Sequence, residues 1–237
     1  MTIHSLFAVL WASTLCLLFS TSEGGQSMWT WLGLGVTLNA YLSFLTSFSL
    51  VLVIYCGPLF QLAFLEDMET DCDLKSVKNF LVTPIYTEVV FRGVLVAALL
   101  GAGVSPMGAV LVSGLASSVT PLADLSDIKF VKKEKGLQVF AGLLAECAFQ
   151  GLTGAFTARV LVATGSLVGP ITSRCFLSFM GVPDLGFLTQ PGHYAFKYRT
   201  WVSLVYLIGL VGFFFLFPLM IDQNLFEPFH YSLQAAS

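Results

Sequence analysis

Long apolar runs, separated by short polar segments, are the feature that most constrains this sequence. Charged residues make up only 11% of its 237 residues, which is about half the share found in an ordinary soluble domain. The 22 phenylalanines add more apolar surface than a soluble domain of this size could bury. Composition therefore excludes a soluble enzyme, a nucleic-acid-binding protein and a disordered linker, and it predicts a protein whose main partner is the lipid bilayer.

The runs predict an all-α fold, a polytopic transmembrane helical bundle of six to seven spans. In lipid the backbone must satisfy its own hydrogen bonds, so runs of this length form helices, and they lack the strict alternation of a membrane β-barrel. Gly57-Pro58 is expected to break the second helix. The predicted spans are 6–20, 29–56, 79–103, 106–124, 137–164, 167–182 and 200–221.

The whole chain, 1–237, is predicted to form a single integral-membrane domain. Residues 1–28 hold either a retained first span or a cleaved signal, and residues 222–237 form a tail. The run at 6–20 is short, and no Lys or Arg precedes it, whereas a secretory signal normally begins with positive charge. Both interpretations of the first run stay open.

Basic residues sort to one side of the predicted topology. With seven spans, three loops on one face carry them, whereas the opposite loops carry no Lys or Arg. The positive-inside rule makes the basic face cytosolic. The loop residues are Lys75, Lys78, Lys129, Lys132, Lys133, Lys135, Lys197 and Arg199.

Five ionisable residues remain inside the predicted spans: Glu88, Arg92, Glu146, Arg159 and Arg174. Each costs at least ~2.5 kcal/mol at mid-bilayer if it is unpaired and faces lipid. Arg159 is near a helix end and can extend its head group to the interface. The other four lie at a similar depth, roughly 12–20 Å below the cytosolic face at 1.5 Å per residue. They predict either a buried ion-pair cluster that pins helices together or a polar cavity that binds or cuts a ligand.

The residues around Glu88 resemble a motif of a known family. The run 84–92, PIYTEVVFR, resembles the first motif of the type II CAAX prenyl endopeptidases, the Ras-converting proteases of the endoplasmic reticulum. The stretches 57–62 (GPLFQL), 165–170 (GSLVGP) and 179–183 (FMGVP) resemble other parts of that family in matching order. The likeness covers a core at 29–221.

This resemblance implies a function and a location. Members remove the last three residues of a farnesylated or geranylgeranylated protein. The implied partners are therefore prenylated CAAX C-termini, and the implied site is a cavity that faces the cytosol from the endoplasmic reticulum membrane. Neither a cofactor nor a metal is implied. His4, His193 and His230 all lie outside the predicted spans.

The resemblance also places the family's functional positions on this sequence. The family's first motif has two adjacent glutamates, three residues and an arginine; its second motif supplies a histidine, and its third a histidine and an asparagine that support the oxyanion. Only the second glutamate and the arginine are retained, because Thr, Ser, Arg and Ser occupy the other four positions. In motif order, this sequence holds Thr87, Glu88, Arg92, Ser117, Arg174 and Ser178.

These replacements predict a non-catalytic relative of the family. Thr and Ser are not general bases unaided, and arginine stays protonated. We expect Arg174 to form an ion pair with Glu146 or Glu88 in the former catalytic site. Two alternatives stay open: an active endopeptidase in which Glu88 and Glu146 share a proton, and an unrelated channel or transporter.

Overall fold

The computed structural model describes residues 33–34, 38–65, 77–124, 136–222 and 225–226. Within these residues the regular elements are all helical and no strand occurs, which confirms the all-α prediction. The predicted first span at 6–20, most of the tail 222–237 and the basic loop at 129–135 lie outside the described residues.

From the second predicted run (29–56) onward, most of the described helices begin and end within several residues of the predicted limits. Helix α3 is continuous from 78 to 101 and is built from α-helical and π-helical segments in alternation. Short 3-10 turns occur at Thr120–Asp124, Gly186–Leu188 and Phe196–Tyr198. The main helices are α1 (Leu38–Ile54), α2 (Cys56–Leu65), α3 (78–101), α4 (Pro106–Ser118), α5 (Gly136–Thr164), α6 (Val168–Met180) and α7 (Arg199–Met220).

The six to seven predicted spans are not confirmed by helix length and composition. In the described residues, Phe80–Gly101 and Phe196–Met220 are long and apolar enough to cross a membrane, and α1 with α2 counts as a third if that bent pair is one span. Helices α4 and α6 have 13 residues each, fewer than the ~20 that cross a bilayer. Helix α5 has 29 residues but is not among the candidate spans found in the described residues.

The predicted break near Gly57-Pro58 lies at Tyr55, where α1 ends and α2 turns away by 66°. Pro58 has no N–H to donate to the carbonyl of Ile54, so the helix cannot continue unchanged through this point. In the first turn of α2 the missing N–H costs nothing, because that donor would have no partner inside the new helix. The break is therefore a direct consequence of Pro58.

Helices α3, α4, α5 and α6 pack around one another and form the part of the fold that holds the intramembrane charges. The closest approach is between α4 and α5, where Gly114 faces Gly151 and Ala155. A Cβ atom added at Gly114 would lie 3.0 Å from the Ala155 Cβ and 3.1 Å from the Gly151 oxygen. Small residues allow this close approach, as in other membrane helix pairs.

The outer face of α7 is apolar and uncovered in the chain. Phe214 and Phe215 are 68% and 73% exposed, whereas Phe213 turns inward against Phe156 with ring centroids 5.9 Å apart. An exposed face of this kind fits contact with lipid tails rather than with water.

An ordered segment at 181–198 connects α6 to α7. It begins at Gly181, which ends α6 with a φ of +69° that glycine adopts without steric cost. Asp184 accepts a hydrogen bond from the Gly186 N–H at 2.8 Å, and its other oxygen lies 2.9 Å from His193 Nε2. Phe187 is buried beneath the segment against Tyr206 of α7. The segment is thus fixed to the bundle by both polar and apolar contacts.

We predict that Asp184→Asn loosens this segment without unfolding the bundle. The hydrogen bond from His193, and after it the one from Gly186, holds the pKa of Asp184 below its usual 3.8. A lowered pKa adds stability above the unfolded-state value, and this stability is lost as the pH falls through the folded-state value. Because Asp184 is exposed, the effect on unfolding should be below ~1 kcal/mol.

Limited proteolysis of the detergent-solubilised chain measures this effect as the rate of cleavage within 181–198. We expect faster cleavage in Asp184→Asn, and in the unchanged chain only under strongly acidic conditions. Gln190→Ala, an exposed position in the same segment, serves as the control. Equal cleavage rates for the two variants would contradict the prediction.

Candidate functional site

Glu88 and Arg92 lie side by side on α3 and are both 0% exposed. Arg92 Nε is 3.2 Å from Glu88 Oε2, so the two charges form an ion pair inside one helix. The Glu-before-Arg order at this spacing is the favourable one in a helix. The sequence left open which of the intramembrane charges pair, and the structure joins these two at full burial.

The helix geometry changes at this pair. Glu88 ends the α-helical segment Thr83–Glu88, and Arg92 lies within the π-helical segment Val89–Val96. Wide π-helical turns inside α-helices occur often at functional sites. Nothing in the side chains of this segment explains the wider turns.

Arg174 reaches the same carboxylate from α6. Its Nε atom lies 3.8 Å from Glu88 Oε1, and its Nη1 donates a hydrogen bond to the Thr153 hydroxyl of α5. Arg174 is on the buried face of α6, together with Ser173 and Leu177. One carboxylate therefore lies between two guanidinium groups that come from different helices.

Arg92 is held on its far side by α4 and α5. Its Nη2 donates to the Ser117 hydroxyl at 3.4 Å, and that hydroxyl donates to the Gly114 carbonyl at 2.8 Å. Gly154 of α5 leaves the space for this contact, because a Cβ there would collide with Ser117 Oγ and Arg92 Nη2. We call the group Glu88, Arg92, Ser117, Thr153 and Arg174 the charge cluster.

Sequence reasoning named most of the charge cluster but not all of it. Thr153, and Gly154 beside it, carry no motif, and only the close approach of α5 shows their part. Thr87 lies on α3 and Ser178 on α6, and both side chains are half-buried. The Thr87 hydroxyl donates to the Pro84 carbonyl at 2.9 Å rather than to any cluster residue.

Of the two carboxylates predicted as partners of Arg174, Glu88 forms the ion pair. Glu146 is half-buried on α5, and its Oε1 accepts a hydrogen bond from Gln150 Nε2 at 3.0 Å. Its charge acts on Arg174 at longer range, but no ion pair joins them among the described residues. Helix α6 packs on both α3 and α5, and among the described residues only the contact with α3 brings a carboxylate within ion-pair distance of Arg174.

Among the described residues, His193 is the only histidine, and it is not in the charge cluster. It lies in the 181–198 segment, where Ala195 N–H donates to its Nδ1 at 3.1 Å and Asp184 binds its Nε2. The described part of the chain contains no group of three or more His, Cys, Asp or Glu side chains that could hold a metal ion.

Comparison with known proteins points to one family. The model of the family "Type II CAAX prenyl endopeptidase Rce1-like" matches residues 74–180, which enclose the whole charge cluster. The chain is 28% identical over 143 residues to CAAX prenyl protease 2 of Arabidopsis thaliana, and 25% identical over 209 residues to CAAX prenyl protease 2 of Homo sapiens. Over these residues the chain is similar to the type II CAAX prenyl endopeptidases.

The extent of these matches is partial. They cover 60% and 76% of this chain, and the aligned regions span only 43% of the Arabidopsis protein and 60% of the human protein. No solved structure matches the chain. This similarity favours the family over the alternative of an unrelated channel or transporter.

We predict that Gly154→Ala destabilises the chain, whereas Gly142→Ala on the same helix does not. The Cβ at 154 would displace Arg92 from Ser117, and overpacking of this kind costs typically 1–3 kcal/mol. A Cβ at Gly142 meets nothing within 4 Å. Thermal unfolding in detergent should show a lower midpoint for Gly154→Ala, and equal midpoints would contradict the packing described above.

We further predict that Glu88→Gln destabilises the chain more than Arg174→Gln. Loss of Glu88 leaves two buried guanidinium groups without their carboxylate, whereas loss of Arg174 leaves Glu88 still paired with Arg92. Removing one partner of a buried ion pair costs about 3–5 kcal/mol.

The measurement is again thermal unfolding, with the double variant Glu88→Gln/Arg174→Gln included. The double variant should be more stable than Glu88→Gln alone, because it removes one of the two stranded charges. The opposite ranking of the two single variants would show that Arg174 has another main partner.

Proposed function

We propose that this chain is a non-catalytic member of its family, a membrane protein that binds prenylated CAAX C-termini without cutting them. One observation carries the proposal: the carboxylate retained from the first motif, Glu88, is completely buried and lies between Arg92 and Arg174. A carboxylate that activates water must have water beside it. Glu88 has no exposed surface on which such a water could lie.

The other motif positions support the same conclusion. Ser117 donates its hydroxyl to a backbone carbonyl and Thr87 does the same, so neither is aligned with a base that could activate it. Arg174 stands where the family resemblance implies a histidine, and a guanidinium does not release its proton at neutral pH. Apart from the buried Glu88 carboxylate, the described cluster therefore has donors and fixed charge but no base.

The alternative of an active site shared by Glu88 and Glu146 lacks support in the contacts of the two residues. Two carboxylates that share a proton must lie within hydrogen-bond reach, about 3 Å. Glu88 instead contacts two cations, and Glu146 accepts from the neutral Gln150 amide. Their environments differ, and no observation favours proton sharing.

We propose the endoplasmic reticulum membrane as the location, with six to seven spans and a site open to the cytosol. The apolar helices and the two CAAX prenyl protease 2 relatives support an integral membrane protein. The one-sided distribution of Lys and Arg supports the orientation. A prenyl group enters such a site most easily from the surrounding lipid.

A peptide-release assay tests the proposal. Membranes that contain this chain are mixed with a farnesylated CAAX peptide, and the released tripeptide is measured, with human CAAX prenyl protease 2 as the positive control. We expect no release above that of membranes without the chain, and we expect the peptide to bind.

Parallel Glu88→Ala and Glu146→Ala variants assign any release that does occur. Release that is lost in both variants would overturn the proposal in favour of a carboxylate pair. Release that is unchanged in both would come from another protein in the membranes, and the purified chain should then release none. Failure of the purified chain to bind the peptide would overturn the binding half of the proposal.

A further inference from the structure

The charge cluster contains two positively charged side chains but only one negatively charged side chain within ion-pair distance of them. Around the Glu88 carboxylate, Arg92 Nε lies at 3.2 Å and Arg174 Nε at 3.8 Å. Two cations thus share one anion. The closer cation is Arg92, so Arg174 is the less completely neutralised of the two.

Arg174 also leaves most of its hydrogen-bonding capacity unused. A guanidinium has five N–H donors, and in the described structure Arg174 donates to one neutral hydroxyl, that of Thr153. Its 3.8 Å contact with Glu88 is too long for a hydrogen bond. Such an arginine is suited to a planar, bidentate acceptor such as a carboxylate.

Arg174 is moreover the least buried charged group of the cluster. Its side chain is 7% exposed, whereas the Glu88 and Arg92 side chains are 0% and 1% exposed. One turn further along α6, Leu177 belongs to a hydrophobic cluster with Val51 and Tyr55 that is edged by aromatic rings. The surroundings therefore favour an anion attached to an apolar tail.

We propose that Arg174 binds the carboxylate of such a ligand, namely the free α-carboxylate of a prenylated cysteine. This carboxylate forms when a CAAX C-terminus has already lost its last three residues, so the chain would hold the processed terminus. The inference rests on the proposed function, because it names the form of the prenylated partner. A fatty acid offers the same chemistry, a carboxylate on an apolar chain, and is a separate arm of the test.

Glu146 is the group that competes with this ligand. Its charge acts on Arg174 at longer range, and its only hydrogen bond in the described residues comes from Gln150. Removing that charge without changing the shape of the side chain should strengthen binding of an anion at Arg174. This expectation separates an anion site from a merely structural ion pair.

The test compares N-acetyl-S-farnesylcysteine with its methyl ester, two probes that share the tail and differ in charge. Binding to the purified full chain in detergent is measured at equilibrium. We expect the acid to bind at least about tenfold more tightly than the ester, as a charge-assisted hydrogen bond requires. Arg174→Gln should equalise the two affinities, Glu146→Gln should raise the affinity for the acid, and Arg159→Gln, at a half-buried position of α5 outside the cluster, should change neither.

The outcomes separate this inference from the proposed function. Equal binding of acid and ester by the unchanged chain overturns the anion site and leaves prenyl binding intact. Binding of neither probe overturns this inference, unless oleate binds tightly and oleyl alcohol does not, in which case the anion site stands with a fatty acid as its ligand. Binding of the farnesylated CAAX peptide decides the proposed function separately. If Arg174→Gln does not fold, the acid-to-ester ratio of the unchanged chain and its rise in Glu146→Gln decide the question.

Discussion

A single carboxylate between two guanidinium groups organises the centre of this bundle. Glu88 joins Arg92 on its own helix to Arg174 on α6, and through them the hydroxyls of Ser117 and Thr153 bring in α4 and α5. Each isolated charge would be costly in an apolar interior, and each is tolerated only because the others are near. The mutual dependence of these charges fixes how the four helices approach one another.

The charge cluster also bears on the difference between the helical scaffold and the residues that the family's chemistry requires. The family's proteolysis needs a base, an orienting group and donors directed at a developing negative charge. In this chain the helices that would hold those groups are present and matched over residues 74–180, yet the positions carry hydroxyls and permanent cations. On the function proposed above, this fold keeps the shape of a site while its residues favour binding over catalysis.

The sequence predicted the helical class and the main partners of the cluster for clear physical reasons. Continuous apolar runs can only be helices in lipid, and the spacing of Glu88 and Arg92 places them on one face. The sequence could not show whether Glu88 or Glu146 forms the ion pair with Arg174, because that depends on how α3, α5 and α6 pack together. It also gave no sign of Thr153, a neutral residue whose role exists only through contact between helices.

The number of spans was harder to predict, because apolar composition does not fix helix length. The run 167–182 is apolar over a stretch that could nearly cross a bilayer, but the helix within it ends at Met180 and begins only at Val168. The second run is divided at Tyr55 because Pro58 removes one donor. In both places a local backbone event, rather than hydrophobicity, sets the limit of the element.

Gly154 shows how tightly the centre of the bundle is packed. The Ser117 hydroxyl and the Arg92 guanidinium already fill the space above its Cα so completely that a single added carbon would collide with both. Any other residue at position 154 would therefore require α4 and α5 to move apart or Arg92 to leave Ser117. The hydrogen bond between α3 and α4 thus depends on the absence of one methyl group on a third helix.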